Sequence, residues 1–169
     1  ETDPHSDTLA KVKAVAPIRG LVLDTCMGLG YTAIQAAKTA EHVITIERDP
    51  AVVEIAKFNP WSRALFDDRR IERVLGNAAD LLRDFQGSAF DVIIHDPPMF
   101  SLAGELYSGE AYRELYRVLV RGGEIFHYVG DLESRSGRNV VRGVIERMQG
   151  VGFKHIVKRP EAFGVVAHK

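Results

Sequence analysis

Leu23-Asp24-Thr25-Cys26-Met27-Gly28-Leu29-Gly30-Tyr31-Thr32-Ala33 is the stretch on which the fold turns. It continues an apolar, β-rich run that begins at Leu21, and it opens into a helix-like segment. Gly28 and Gly30 let the backbone pass close to a ligand where a Cβ would block it. A turn of this kind, between a strand and a helix N-terminus, suits a polar or anionic group of a nucleotide-like ligand. Glu47 ends the next apolar run, nineteen residues beyond Gly28. A carboxylate there can accept from both hydroxyls of a ribose. Strand, turn, helix and spaced acid together point to a nucleoside-containing cofactor. The plainer alternative is a tight βα turn with a surface glutamate.

Outward from this motif the chain alternates. Apolar runs suited to strands occur at Leu21–Leu23, Val43–Ile46, Ile71–Leu75, Phe90–Ile94, Glu124–Val129, Phe153–Val157 and Phe163–Ala167. Helix-like stretches separate most of them. Asp49-Pro50 reads as an N-cap and first-turn pair opening a helix that ends before Asn59-Pro60. Tyr112, Leu115, Tyr116 and Leu119 follow the i, i+3, i+4, i+7 pattern, and Gly122-Gly123 reads as the stop of that helix. Val141, Val144, Ile145 and Met148 repeat the pattern, with Gly150 at the C-terminal end. Leu9, Val12 and Val15 suggest a helix before the first strand. Strands alternating with helices predict βαβ units and a mainly parallel sheet. Val92-Ile93-Ile94 suits a central strand buried on both faces.

With 46% hydrophobic and 27% charged residues, the 169-residue chain is not disordered or low-complexity, and one core is expected. Residues 1–169 read as a single domain, either a processed form or the C-terminal part of something longer. Net charge is −1, which argues against attachment to nucleic acid by overall field. Apolar runs reach only about five residues, so no membrane span is expected. The single cysteine, Cys26, excludes an intrachain disulfide framework and fits a cytoplasmic protein.

Gly28-x-Gly30-x-x-Ala33 also satisfies the dinucleotide-binding fingerprint. The fourth strand separates the two readings. It ends Val92-Ile93-Ile94-His95-Asp96-Pro97-Pro98-Met99-Phe100. Two prolines directly after a strand make a stiff loop with fixed φ and no N–H donors. They would hold Asp96 and the neighbouring carbonyls at the C-terminal sheet edge, where open α/β sheets bind ligands. A nicotinamide enzyme has no use for such a turn. The plain alternative is a strand stop.

On these residues the chain resembles the class I S-adenosyl-L-methionine (SAM)-dependent methyltransferases over nearly its whole length. Asp24, Gly28 and Gly30 look like their first motif, and Glu47 like their ribose acid. Gly76-Asn77-Ala78-Ala79-Asp80 looks like their adenine-contacting segment. Asp96-Pro97-Pro98 resembles the Asp/Asn-Pro-Pro-aromatic motif of methyltransferases acting on exocyclic or amide nitrogens. Asp96–Ser101 with Leu106-Tyr107-Ser108 looks most like an uncharacterised archaeal branch of the superfamily. Cys26 replaces a usual glycine, Asn77 a common Asp, and Met99 the aromatic, with Phe100 one residue later.

The resemblance implies a three-layer αβα Rossmann-like fold, with a seven-stranded, mostly parallel sheet and an antiparallel last strand. It implies that the first helix partly covers the cofactor. It implies SAM as cofactor, with Asp24 near the ammonium, Glu47 on the ribose, Asn77 and Asp80 near the adenine, and Asp96, Pro97 and Pro98 facing a nitrogen acceptor. The acceptor itself, whether RNA, protein or small molecule, stays open. A second resemblance, to spermidine-synthase-like aminopropyltransferases using decarboxylated SAM, rests on Asp96-Pro97-Pro98 with the elements through Gly122-Gly123. Such an enzyme needs carboxylates for a polyamine, and Asp96, Glu105, Glu110 and Asp131 are the candidates. A non-catalytic SAM-binding subunit is the third alternative.

Other signals read as structural. His95 and His127 end the fourth and fifth strands and are expected as satisfied structural histidines, although either could relay a proton. His5, His42, His155 and His168 have no metal-ligand spacing. Cys26 reads as a small packed residue, and Trp61 as a core anchor with an exposed stacking platform as the alternative. Seven basic against three acidic residues in Asp131–Arg159 read as a solvated helix face rather than a nucleic-acid footprint. Met99–Gly109 and Gly130–Arg138 are expected to wall the acceptor site.

Overall fold

The computed structural model describes residues 3–99 and 102–169. Each strand forms where an apolar run was flanked by turn residues. They are β1 (Leu21–Asp24), β2 (His42–Glu47), β3 (Ile71–Leu75), β4 (Phe90–His95), β5 (Leu119–Tyr128), β6 (Lys154–Arg159) and β7 (Gly164–His168). Their order is β3-β2-β1-β4-β5-β7-β6. β3 through β5 pair in parallel, whereas β7 runs antiparallel to both β5 and β6. The helices are α1 (Pro4–Ala14), α2 (Tyr31–Ala36), α3 (Pro50–Phe58), α4 (Arg63–Asp67), α5 (Ala78–Leu81), α6 (Gly109–Val118) and α7 (Arg135–Val151).

Alternation along the central strands feeds two cores, one per sheet face. Leu23, Ile93 and Ile125 pack with Tyr112, Leu115, Val144 and Met148 of α6 and α7. Val22, Val92, Ile94 and Phe126 pack with Ala33, Ala36, Ala56 and Leu65 from α2, α3 and α4. This is the three-layer αβα arrangement expected. Asp49 caps α3 by accepting from the Ala51 amide at 2.8 Å, and Pro50 occupies the first turn.

The expected stop of α6 is corrected. Gly122-Gly123 does not stop α6, which ends at Val118; Leu119 already pairs with Phe90. The register then shifts before Val92 meets Glu124, and Gly122 takes up the excursion at φ +80°. Gly123 must be glycine there, because a Cβ would lie 2.8 Å from the Asp91 carbonyl oxygen. α7 runs through Gly150 to Val151 and is capped by Gly152 at φ +115°. The helix expected before the first strand forms as α1; it buries Thr8 and Lys11, Val12 packs partly buried against the core, and the buried Val15 is its C-cap.

Trp61 is 80% exposed, not a core anchor; it sits in a one-turn 3₁₀ segment at Pro60–Ser62, with Phe58 and Ile55 also exposed. Arg138, Arg142 and Arg147 lie on the exposed face of α7, as a solvated face requires. Among the described residues, no helix is long and apolar enough to cross a membrane, and no group of three or more His, Cys, Asp or Glu could hold a metal ion.

Candidate active site

A cleft of about 540 Å³ opens at the C-terminal ends of β1, β2 and β4, within the range used for small-molecule ligands. The loop after β1 forms its floor. The Thr25 amide donates to Ile94 at 3.1 Å and the Met27 amide to Ile46 at 2.7 Å, so the loop prolongs the pairing of β1 on both sides. The Gly30 amide then donates to Met27 at 2.7 Å and closes a tight turn into α2.

The two motif glycines do different work. Gly28 has φ +51°, lines the cleft, and an added Cβ there would meet nothing within 4 Å. It leaves room for a ligand. Gly30 has φ +80° and does not line the cleft; its Cβ would come 2.6 Å from the Leu65 side chain. Its small size is required by the packing of α4.

Glu47 lies on the cleft wall. Its Oε2 accepts from the Gly28 amide at 3.0 Å and its Oε1 from the Asp49 amide at 2.9 Å. The carboxylate is thus oriented before any ligand arrives, with lone pairs left for two vicinal hydroxyls. Asn77 also lines the cleft, and its side chain caps α5 by accepting from the Ala79 amide at 3.0 Å. Asp80, in the first turn of α5, is not on the wall. Ile46, Val52, Ala78 and Leu106 supply apolar wall beside Asn77, as a purine-sized group needs.

Asp24 lies beneath the loop, fully buried. Its Oδ2 accepts from Thr45 Oγ1 at 2.8 Å and Thr32 Oγ1 at 3.4 Å, while Oδ1 has no partner among the described residues. Burial pushes its pKa up to about 7, against the pull of the Thr45 hydroxyl. Asp24 is not on the cleft wall, so this enclosed oxygen would meet a ligand's ammonium only through a water. Burial likewise drives the Cys26 thiol up to about 12, which disfavours the thiolate; the side chain is partly buried and packs against the core while bordering the cleft.

At the end of β4, Asp96 and Pro97 line the cleft with Pro98. The Tyr107 hydroxyl donates to the Pro98 carbonyl at 3.1 Å and braces the loop. Burial raises the Asp96 pKa, opposed by Lys11. Lys11 is the residue that sequence reasoning missed. Its ammonium donates to Asp96 Oδ2 at 2.7 Å and lies 2.8 Å from Asp7 Oδ2. It stands over the Tyr128 ring at 4.7 Å from the centroid. Available signals were the Asp7/Lys11 i, i+4 spacing and the shared face of Thr8, Lys11 and Val15. Phe100 and Ser101, part of the expected acceptor wall, lie outside the described residues.

His95 is structural. Its Nδ1 accepts from Thr25 Oγ1 at 2.7 Å, and its Nε2–H donates to the Leu106 carbonyl at 3.0 Å. Burial lowers its pKa to about 4. His127 is held in the same way, with Nε2 accepting from the Tyr112 hydroxyl at 2.8 Å and Nδ1–H donating to the His95 carbonyl at 3.3 Å. Both imidazoles remain neutral and use both nitrogens internally.

This strand order, with a cofactor-sized cleft at the C-terminal edge of β1 and β2, defines a Rossmann-like nucleoside-cofactor domain of the class I SAM-dependent methyltransferase superfamily. Residues 22–123 match the methyltransferase domain family, and the chain belongs to that family. It is 52% identical over 171 residues to the uncharacterised protein MJ1233 of Methanocaldococcus jannaschii, covering all of this chain and 59% of that protein. It is 28% identical over 155 residues to a polyamine aminopropyltransferase of Aeropyrum pernix, covering 89% of this chain and 47% of that one. A spermidine synthase in complex with the transition-state analogue AdoDATO superposes with a TM-score of 0.79 at 24% identity, over 98% of this chain and 60% of that one. The chain therefore spans about half to three-fifths of the length of these proteins.

Proposed function

We propose that the domain binds SAM in the cleft and transfers its methyl group to a nitrogen acceptor held beside Asp96. The observation that carries this reading is the position of Asp96, on a proline-stiffened strand end in the same cleft as Gly28 and Glu47. The residues present fit the cofactor: Gly28 leaves room for its chain, Glu47 is preset for a ribose, Asn77 borders an apolar wall, and Asp24 holds an unpartnered oxygen beneath the turn.

When bound, the sulfonium of SAM supplies an already activated methyl group. The protein's task is then to bring a nucleophile to about 3 Å in line and to stabilise charge growing on it. Lys11 engages Asp96 Oδ2, and no bond to Oδ1 is made among the described residues. Oδ1 can accept an N–H of the acceptor and aim its lone pair. His95, neutral and bonded through both nitrogens, is unsuited to the general-base role that an oxygen or thiol acceptor would ask of it.

The second reading, aminopropyl transfer from decarboxylated SAM, is favoured by the likeness to the Aeropyrum protein. Against it stands the charge arrangement. Of the four candidate acids, Asp96 is paired with Lys11, Glu105 with Arg48 and Glu110 with Arg83, whereas Asp131 accepts from the Glu133 amide and has no ion pair among the described residues. The Glu105 and Glu110 pairs are exposed and weak, so it is the Asp96–Lys11 pair, which is neither, that weighs against a polyamine. Calorimetry with SAM, its thioether product, decarboxylated SAM and NAD tests the cofactor. Labelled-methyl transfer to RNA, protein and small-molecule fractions then tests the reaction. Preference for decarboxylated SAM would move the assignment to aminopropyl transfer, and binding of NAD alone would end it. SAM binding without transfer would leave a non-catalytic subunit.

A further inference from the structure

Lys11 is an unusual side chain for this site. It is only 7% exposed, it comes from α1 rather than from the sheet, and its ammonium is held by two carboxylates and an aromatic face. Two carboxylates at 2.7 and 2.8 Å with a ring at 4.7 Å are the fittings of a site for a primary ammonium ion. Asp7 also borders a neighbouring groove shared with Tyr128 and Asp131. A second carboxylate, Asp131, thus borders the same groove as Asp7 and is a candidate for the far end of a diamine.

We propose that Lys11 is the specificity-determining residue of the acceptor side: its own ammonium permanently occupies the amine site formed by Asp7, Asp96 and Tyr128, and so excludes free aliphatic di- and polyamines. The acceptor is then a nitrogen that arrives uncharged and takes the remaining Asp96 oxygen. Charge decides the selection. A dication entering the filled site meets a like charge at contact distance, well inside the range over which salt screens. A neutral amide or ring-amino nitrogen meets no such barrier.

The inference deepens the methyl-transfer reading and takes the acceptor's class from it, but its test reads binding alone. 1,4-Diaminobutane and n-butylamine are titrated by calorimetry into the parent, Lys11→Met and Lys11→Arg, at matched ionic strength. The parent and Lys11→Arg are expected to show no saturable binding. Lys11→Met is expected to bind the diamine at least roughly tenfold more tightly than the parent, as regained charged hydrogen bonds imply. The diamine should bind better than the monoamine, and adding Asp131→Asn should remove that preference. Equal binding to parent and Lys11→Met would overturn the proposal, as would no binding to either. Should Lys11→Met not fold, Lys11→Gln leaves Asp7, Asp96 and Tyr128 in place and is judged by the same criterion. Failure of labelled-methyl transfer would overturn the function reading without touching the diamine contrast.

Discussion

Lys11 Nζ lies 2.7 Å from Asp96 Oδ2 although the two residues are 85 positions apart. The pair ties the covering helix α1 to the strand end at which the acceptor is proposed to bind. Desolvation is the largest influence on each partner, raising the Asp96 pKa and opposing the charge on Lys11, whose pKa is nonetheless raised by Asp96 and Asp7. Removing one partner strands the other, so substitutions here act on stability as well as on chemistry.

Asp96→Ala is accordingly expected to lower the methyl-transfer rate by roughly 10²–10³ with a much smaller change in SAM affinity. It should also lower the unfolding midpoint, because Lys11 keeps only Asp7. Asp96→Asn retains an acceptor oxygen and should keep part of the activity. Single-turnover transfer with both variants, set beside SAM titration, separates the effects. Parental transfer by Asp96→Ala would reduce Asp96-Pro97-Pro98 to a strand stop.

Glu47→Ala is expected to weaken SAM binding by about 1.5–3 kcal/mol, the value of hydrogen bonds to a charged group. A stability loss of about 1 kcal/mol should accompany it, since the Gly28 and Asp49 amides lose their acceptor. Glu47→Gln should recover stability more than affinity. Calorimetry and urea unfolding of the two variants check both halves.

The glycines should separate in the same experiments. Gly28→Ala meets open space and is expected to cost about 1–2 kcal/mol of stability from its positive φ alone, while SAM affinity falls. Gly30→Ala drives a Cβ onto Leu65 and should cost about 3 kcal/mol. The surviving folded fraction of Gly30→Ala should bind SAM nearly as the parent does. A Gly28→Ala protein with parental affinity would remove the ligand from that turn.

Buried titratable groups predict opposed pH effects. Asp24 has a folded pKa of about 7, above its unfolded value, so its protonation favours the folded state and this contribution is lost as pH rises from about 4 to about 7. Asp24→Asn should therefore gain stability over the parent across that window, on the order of 4 kcal/mol. His95 has a folded pKa of about 4, below its unfolded value, so its contribution is present above about 6.5 and lost as pH falls toward 4. His127 acts in the same direction. Urea midpoints of the parent, Asp24→Asn and His95→Gln at pH 4.5, 6 and 8 check the signs. A parent–Asp24→Asn difference that does not move with pH would place the Asp24 pKa near its ordinary value.

Local rules made much of the fold readable in the sequence. Alternating apolar runs placed all seven strands, Asp49-Pro50 opened α3 where a cap and a first-turn proline must, and the glycine turn with Glu47 marked the cleft. These features depend on neighbours within a few residues, or on a repeat that strand and helix geometry impose. Tertiary structure decided the rest. Leu119 leaves the helix because Phe90 pairs with it, a contact no helical periodicity can report. Gly30 is glycine because of Leu65, not because of a ligand, and Trp61 is exposed because its 3₁₀ segment lies outside both cores. Above all, Lys11 reaches Asp96 only once α1 has folded over the sheet edge. A lysine at helical spacing from an aspartate reads as a surface pair, and burial against a carboxylate from a distant strand end makes it part of the site.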